Sequence, residues 1–154
     1  MALSWNEIKD LLFTHCQHYI EAKQILLEKQ KDALQLALTS ESKSSAGDKH
    51  EIGRAIIQLE REKLGNQIVK VEQNQQKLNT IQNHKSTESV TLGSIVLTDQ
   101  ANYFIAIAAD FCELEGKKYY CISPQSPIGV RLLGKKVRDQ IEFNARSSTL
   151  LEIL

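Results

Sequence analysis

Over residues 1–85 the apolar positions fall three and four apart, the spacing of a helix face. Residues 4–38 read as one helix. Ser4 is placed to cap it, with Glu7 three residues on, as in a capping box. Trp5, Ile8, Leu12, Tyr19, Ala22, Leu26, Ala33 and Leu36 make its apolar stripe, interrupted by His15 and Lys29. The small polar run from Thr39 to Gly47 then stops the helix. Asp48 is expected to cap a second helix reaching about Ile81, with Glu51 as the third helical residue. Ile57, Leu64, Val71 and Leu78 recur every seven residues, with Ile68 between them and Arg61 and Gln75 at the remaining seam positions, a half-filled coiled coil. Two helices of ~33 residues with a short connection predict an antiparallel hairpin of roughly 50 Å, thin enough for its far end to project into solvent.

From residue 88 onward the pattern changes to short runs of Val, Ile, Tyr, Phe and Thr, which suit strands. Strands are expected at residues 89–97, 103–109, 117–122, 140–144 and 149–154, with turns at Asp99-Gln100 and Glu115-Gly116. Ser126-Pro127 opens a short helix, a serine cap followed by proline at the first helical position, and Gly134 ends it. One helix on an antiparallel sheet makes this part an α+β domain. The polar run 83–88 divides the chain into an arm, residues 1–84 with its tip near 40–51, and a compact domain, residues 88–154.

Composition narrows the function classes. The chain has 154 residues, with nineteen basic side chains balancing nineteen acidic ones, so net charge does not select nucleic acid or an anionic membrane as the main partner. Apolar runs fall short of the ~18 residues that span a bilayer, and Trp5, Asn6, Glu7 and Asp10 break up the start, so neither a membrane span nor a secretory leader is expected. Three widely spaced cysteines, Cys16, Cys112 and Cys121, form neither a disulfide framework nor a zinc pattern, which points to a reducing cytoplasm.

Candidate chemistry is sparse. Asp48 and Glu51 put two carboxylates on neighbouring positions of one helical turn at the hairpin tip. Two oxygen donors suit a hard cation such as Mg²⁺ but cannot complete its shell. The simpler role is the capping box itself. His15 and His18 have helical i, i+3 spacing, yet no third ligand accompanies them. Cys112 and Cys121 are expected in the core. Arg131, Lys135, Lys136 and Arg138 form a basic cluster around Gly134, either a contact surface or a solvated face. No serine has a suggestive His or Asp neighbour, and no glycine loop resembles a phosphate cradle.

The segment from Ser126-Pro127-Ile128-Gly129 through Leu132-Leu133-Gly134-Lys135 to Asp139 resembles the S-P-x-(G/A)-x-x-L-(I/L)-G-K-x-x-x-D signature of the Gre family of transcript-cleavage and elongation factors. Gly47-Asp48-Lys49-His50-Glu51 is similar to the G-D-x-x-E tip of the same family, and the order of parts, coiled coil then C-terminal domain, also matches. The resemblance implies an FKBP-like C-terminal domain. It implies a cytoplasmic, monomeric factor whose partner is RNA polymerase, with RNA met only inside the elongation complex and no membrane. The chain would be a cofactor protein for polymerase-catalysed RNA cleavage rather than an enzyme. Ser126, Pro127, Arg131, Gly134, Lys135 and Lys136 would serve docking, and Asp48 and Glu51 would share a Mg²⁺ with the polymerase. The sequence departs from the family at Ile52-Gly53-Arg54, at the serine-rich approach to the tip, and at Arg138, where the pattern has glycine. A Gre homologue that occupies the secondary channel without cleavage, a peptidyl-prolyl isomerase and a coiled-coil adaptor stay as alternatives.

Overall fold

A computed structural model describes residues 2–42 and 47–154, with side chains described for 2–40 and 51–154. Two long helices, α1 (Trp5–Ser42) and α2 (Gly47–Thr80), form an antiparallel hairpin. They are followed by strands β1 (Ile95–Thr98), β2 (Asn102–Ile105), β3 (Cys112–Leu114) and β4 (Lys117–Ile122). A short helix α3 (Pro127–Leu132) and strands β5 (Gln140–Phe143) and β6 (Arg146–Ile153) complete the α+β fold. Among the described residues, no helix is long and apolar enough to cross a membrane.

The expected capping box at the start of α1 is present. The Ser4 N–H donates to Glu7 Oε2 at 3.0 Å and the Glu7 N–H to Ser4 Oγ at 3.2 Å. The stripe of α1 needs correction beyond its first turns. Ile8 and Leu12 are buried as expected, but Leu26 and Leu36 are 48% and 70% exposed and Ala22 and Ala33 are exposed. The face turned inward instead carries Cys16, Ile20, Leu27, Leu34 and Leu38. On α2 the seven-residue pattern holds: Leu64 and Leu78 are buried, and Ile57, Ile68, Val71 and Gln75 are half-buried, while Arg61 is exposed. α2 includes Gly47 and Asp48, but the Asp48 side chain and residues 43–46 of the serine-rich approach lie outside the described residues, so the capping expectation for Asp48 falls there too.

The chain forms two compact units, one of Met1–Tyr19 with Gln75–Leu154 and one of Ile20–Asn74. In the second, Ile20, Leu27 and Leu64 are the buried apolar residues among those described, and Gln30, Ala33 and Leu34 of α1 share a groove with Glu60, Lys63, Leu64 and Gln67 of α2. In the first, the Gln17 and Gln75 side-chain amides bond each other reciprocally, both at 2.9 Å, and Gln75 also donates to Asn79 Oδ1 at 2.9 Å. This pairing satisfies the polar residue that interrupts the α2 seam.

The sheet has six strands in the order β3-β4-β2-β1-β6-β5. It is mixed rather than antiparallel, because β2 and β4 run parallel, with Phe104 opposite Cys121. The β3–β4 hairpin causes this: β3, which the sequence pattern misses, takes the outer edge, and β4 returns beside β2. The β3–β4 and β5–β6 hairpins close on two-residue turns with positive φ, Glu115-Gly116 (52° and 77°) and Asn144-Ala145 (51° and 62°). One core joins Val90, Val96, Ile105, Ile141, Leu150 and Ile153 to Ile128 and Leu132 of α3.

Candidate functional site

Two places carry the candidate residues, and each is built by local rules. At the start of α2, Asp48 and Glu51 are three apart within the helix, on neighbouring positions of one turn. The Glu51 side chain is exposed. Among the described residues no group of three or more His, Cys, Asp or Glu could hold a metal. His15 is committed elsewhere, donating from Nε2 to the Asp110 carbonyl at 2.6 Å, and His18 is exposed.

The second place is α3 and the segment after it. Ser126 has extended backbone (φ −65°, ψ 158°) and its Oγ accepts from the Gly129 N–H at 3.1 Å while donating to the Ser123 carbonyl at 2.6 Å. Pro127 follows at the first helical position, where no N–H is needed. Gly129 is required by proximity: a Cβ there would overlap the Ser123 carbonyl oxygen and meet Ser126 Oγ at 2.9 Å. The S-P-x-G run is thus a helix start pressed against the chain that leads into it. Gly134, at φ 78°, turns the chain after α3, and its N–H donates to the Val90 carbonyl while the Val90 N–H donates to that of Lys135, both at 2.9 Å. The Asp139 carboxylate accepts from the Lys136 N–H at 2.8 Å. This frame leaves Arg131 and Lys136 exposed and Lys135 half-buried.

Arg138 stands where the Gre pattern has glycine, and its φ of 78° explains that preference. The Arg138 N–H donates to the Leu150 carbonyl at 2.8 Å, so the strained backbone is held by pairing to β6.

No protein-family model matches the chain, and no curated protein matches it. Among solved structures the chain is similar to the transcription factor Gfh1, with 22% identity over 88% of this chain and 92% of that one and a TM-score of 0.34. It is also similar to GreA factor homolog 1 (Gfh1) of Thermus thermophilus, with 18% identity, 92% and 94% coverage and a TM-score of 0.35. Gfh1 of Thermus aquaticus gives 19% identity, 89% and 94% coverage and a TM-score of 0.32.

One grouping escapes a reading of the sequence. Lys9 on α1 donates to His84 Nδ1 at 2.9 Å, and His84 Nε2 lies 3.1 Å from Thr91 Oγ1. With Nδ1 accepting, the imidazole is neutral and carries its proton on Nε2. Burial, and then the Lys9 charge, hold His84 below its usual 6.5, while burial lowers Lys9. Gly93, at φ 96°, lets the His84 ring lie against its backbone, and these residues edge a polar cleft of about 310 Å³ with Asn6, Asp10 and Gln82. It had no sequence signal, because His84 sits in a run that reads as linker.

Proposed function

We propose that this protein is a transcription elongation factor that enters the secondary channel of RNA polymerase and stimulates polymerase-catalysed cleavage of backtracked RNA. The observation that carries the reading is the joint presence of two built parts in one chain. An acidic pair opens the second helix of an antiparallel hairpin, and the S-P-x-G segment is a capped helix held on an α+β domain. The hairpin delivers Asp48 and Glu51 to a site that the bulkier sheet domain would not enter. Arg131, Lys135 and Lys136, on the frame behind Ser126, Pro127 and Gly134, bind the polymerase rim. Asp48 and Glu51 supply two hard oxygen donors, fitting a Mg²⁺ whose remaining ligands come from the polymerase. Such an ion, when bound, would stabilise charge on the oxygens exchanged in hydrolysis. The protein is then a cofactor protein acting as a monomer, and the catalytic centre belongs to the polymerase.

Ile52-Gly53-Arg54, which follows Glu51 in place of the family pattern, favours a second reading: a homologue that fills the channel and regulates without cleavage. The isomerase alternative loses support, because Phe104 and Tyr119, two of the aromatics that a substrate pocket would need, are almost fully buried. One experiment separates the two channel readings. Cognate polymerase, stalled and backtracked on labelled RNA, is incubated with the protein in Mg²⁺ buffer. Shortened RNA supports the cleavage factor. Unchanged RNA together with competition against an authentic cleavage factor supports the regulator, and neither effect removes both.

A further inference from the structure

The cleft edged by Lys9 and His84 lies wholly within the unit that contains the sheet, and it shares no residue with the hairpin tip or with α3. Lys9 is half-buried, and its ammonium makes one hydrogen bond, to His84 Nδ1. A lysine carries three N–H donors, so two remain. Among the described residues no carboxylate lies within ion-pair distance of it, and burial lowers its pKa from 10.5 with no offsetting charge. A part-buried cation in this state gains from an anion that reaches it. Its position is also fixed from behind. His84 is held between Lys9 and Thr91, and its ring lies so close to Gly93 that a Cβ there would come within 2.7 Å of it. The cation is thus in place before a ligand arrives, which lowers the ordering cost of binding.

The rest of the cleft selects among anions. Its volume of about 310 Å³ is at the lower end for ligand sites and has room for a small molecule. Asn6 and Gln82 on the rim carry carboxamide N–H groups that can serve a second oxygen. Phe13, half-buried, adds an apolar wall. Asp10, exposed on the same rim, sets one negative charge against the positive charge of Lys9. With the two nearly cancelling, a second charge on the ligand gains little and must still be desolvated. Inorganic phosphate also has no carbon to lay against Phe13. We propose that this cleft is a binding site for a small organic monocarboxylate, whose carboxylate takes the free Lys9 donors and whose short carbon chain lies on Phe13.

The test is an NMR titration of the full, isotope-labelled chain in which sodium propionate replaces sodium chloride at constant ionic strength and pH. Saturable shifts are expected at Lys9 Cε, at the His84 ring and at the side-chain amides of Asn6 and Gln82. Inorganic phosphate at matched ionic strength should produce no saturable shift. Lys9→Gln should weaken propionate binding about tenfold or more, as expected for the loss of a charge-assisted hydrogen bond. Asp10→Asn should tighten propionate binding and admit phosphate. If Lys9→Gln does not fold, the wild-type map and Asp10→Asn decide. Shifts that grow without saturating, saturation centred on other residues, an equal response of the wild type to phosphate, unaltered affinity in Lys9→Gln, or weaker binding in Asp10→Asn would each overturn the proposal.

Discussion

Arg138 and Ala145 hold left-handed backbone, at φ 78° and 62°, without being glycine. That conformation costs an L side chain roughly 1–2 kcal/mol. Glycine's larger unfolded-state freedom offsets ~0.5–1 kcal/mol of the relief. Arg138→Gly and Ala145→Gly should therefore each stabilise by about 0.5–1 kcal/mol, read as a raised urea midpoint at constant slope. Gly129→Ala should do the reverse, losing roughly 1–3 kcal/mol because the new methyl meets fixed backbone. His84 makes stability depend on pH. Its folded pKa lies below 6.5, so as pH falls through that value the unfolded chain takes up the proton first, and stability drops. The cost of burying Lys9 eases only as pH rises toward 10.5 and adds no slope on the acid side. Wild-type protein should thus lose more stability between about pH 7.5 and 5.5 than His84→Gln does. Equal losses in urea melts would remove His84 from the account.

Among elements, α2 was the most legible in sequence, because its seven-residue spacing admits one seam. On α1 the residues Ala22, Leu26, Ala33 and Leu36 compete with Ile20, Leu27, Leu34 and Leu38 for the same role, and tertiary packing made the choice. The start of α3 was readable because cap, proline and close-packed glycine are local requirements. By contrast β3 and the parallel β2–β4 pair depend on topology, which no short window contains. The Gln17–Gln75 pair belongs to this group: sequence marks Gln75 as a flaw in the seam, and only its partner explains it. Gln75→Leu should cost about 1 kcal/mol by leaving the half-buried Gln17 amide without its partner. Gln17→Leu/Gln75→Leu should recover part of that loss, and a double-mutant cycle with strictly additive terms would show the amides to be uncoupled.

For the whole molecule, the proposed division of labour predicts that binding and cleavage respond to different residues. Asp48→Asn and Glu51→Gln should abolish cleavage stimulation while polymerase affinity changes less than about twofold, since neutral amides keep the shape but lose the metal-binding charge. Arg131→Glu with Lys136→Glu should weaken binding most at low salt, as expected of exposed charges. Salt-independent binding in that variant would place docking elsewhere. Surface changes are the appropriate probe here, because residues 88–154 share one compact unit with the base of α1, and removing them would not leave that unit intact. The same grouping of residues has a consequence for how the protein is made. Residues 2–19 leave the ribosome well before the sheet they share a unit with, which ends at Ile153, on the strand that pairs with β1. The second unit, Ile20–Asn74, is continuous in sequence and can form while synthesis proceeds. The helix base meanwhile waits with Ile8, Leu12 and Cys16 uncovered, making this nascent stretch the one that chaperones would engage.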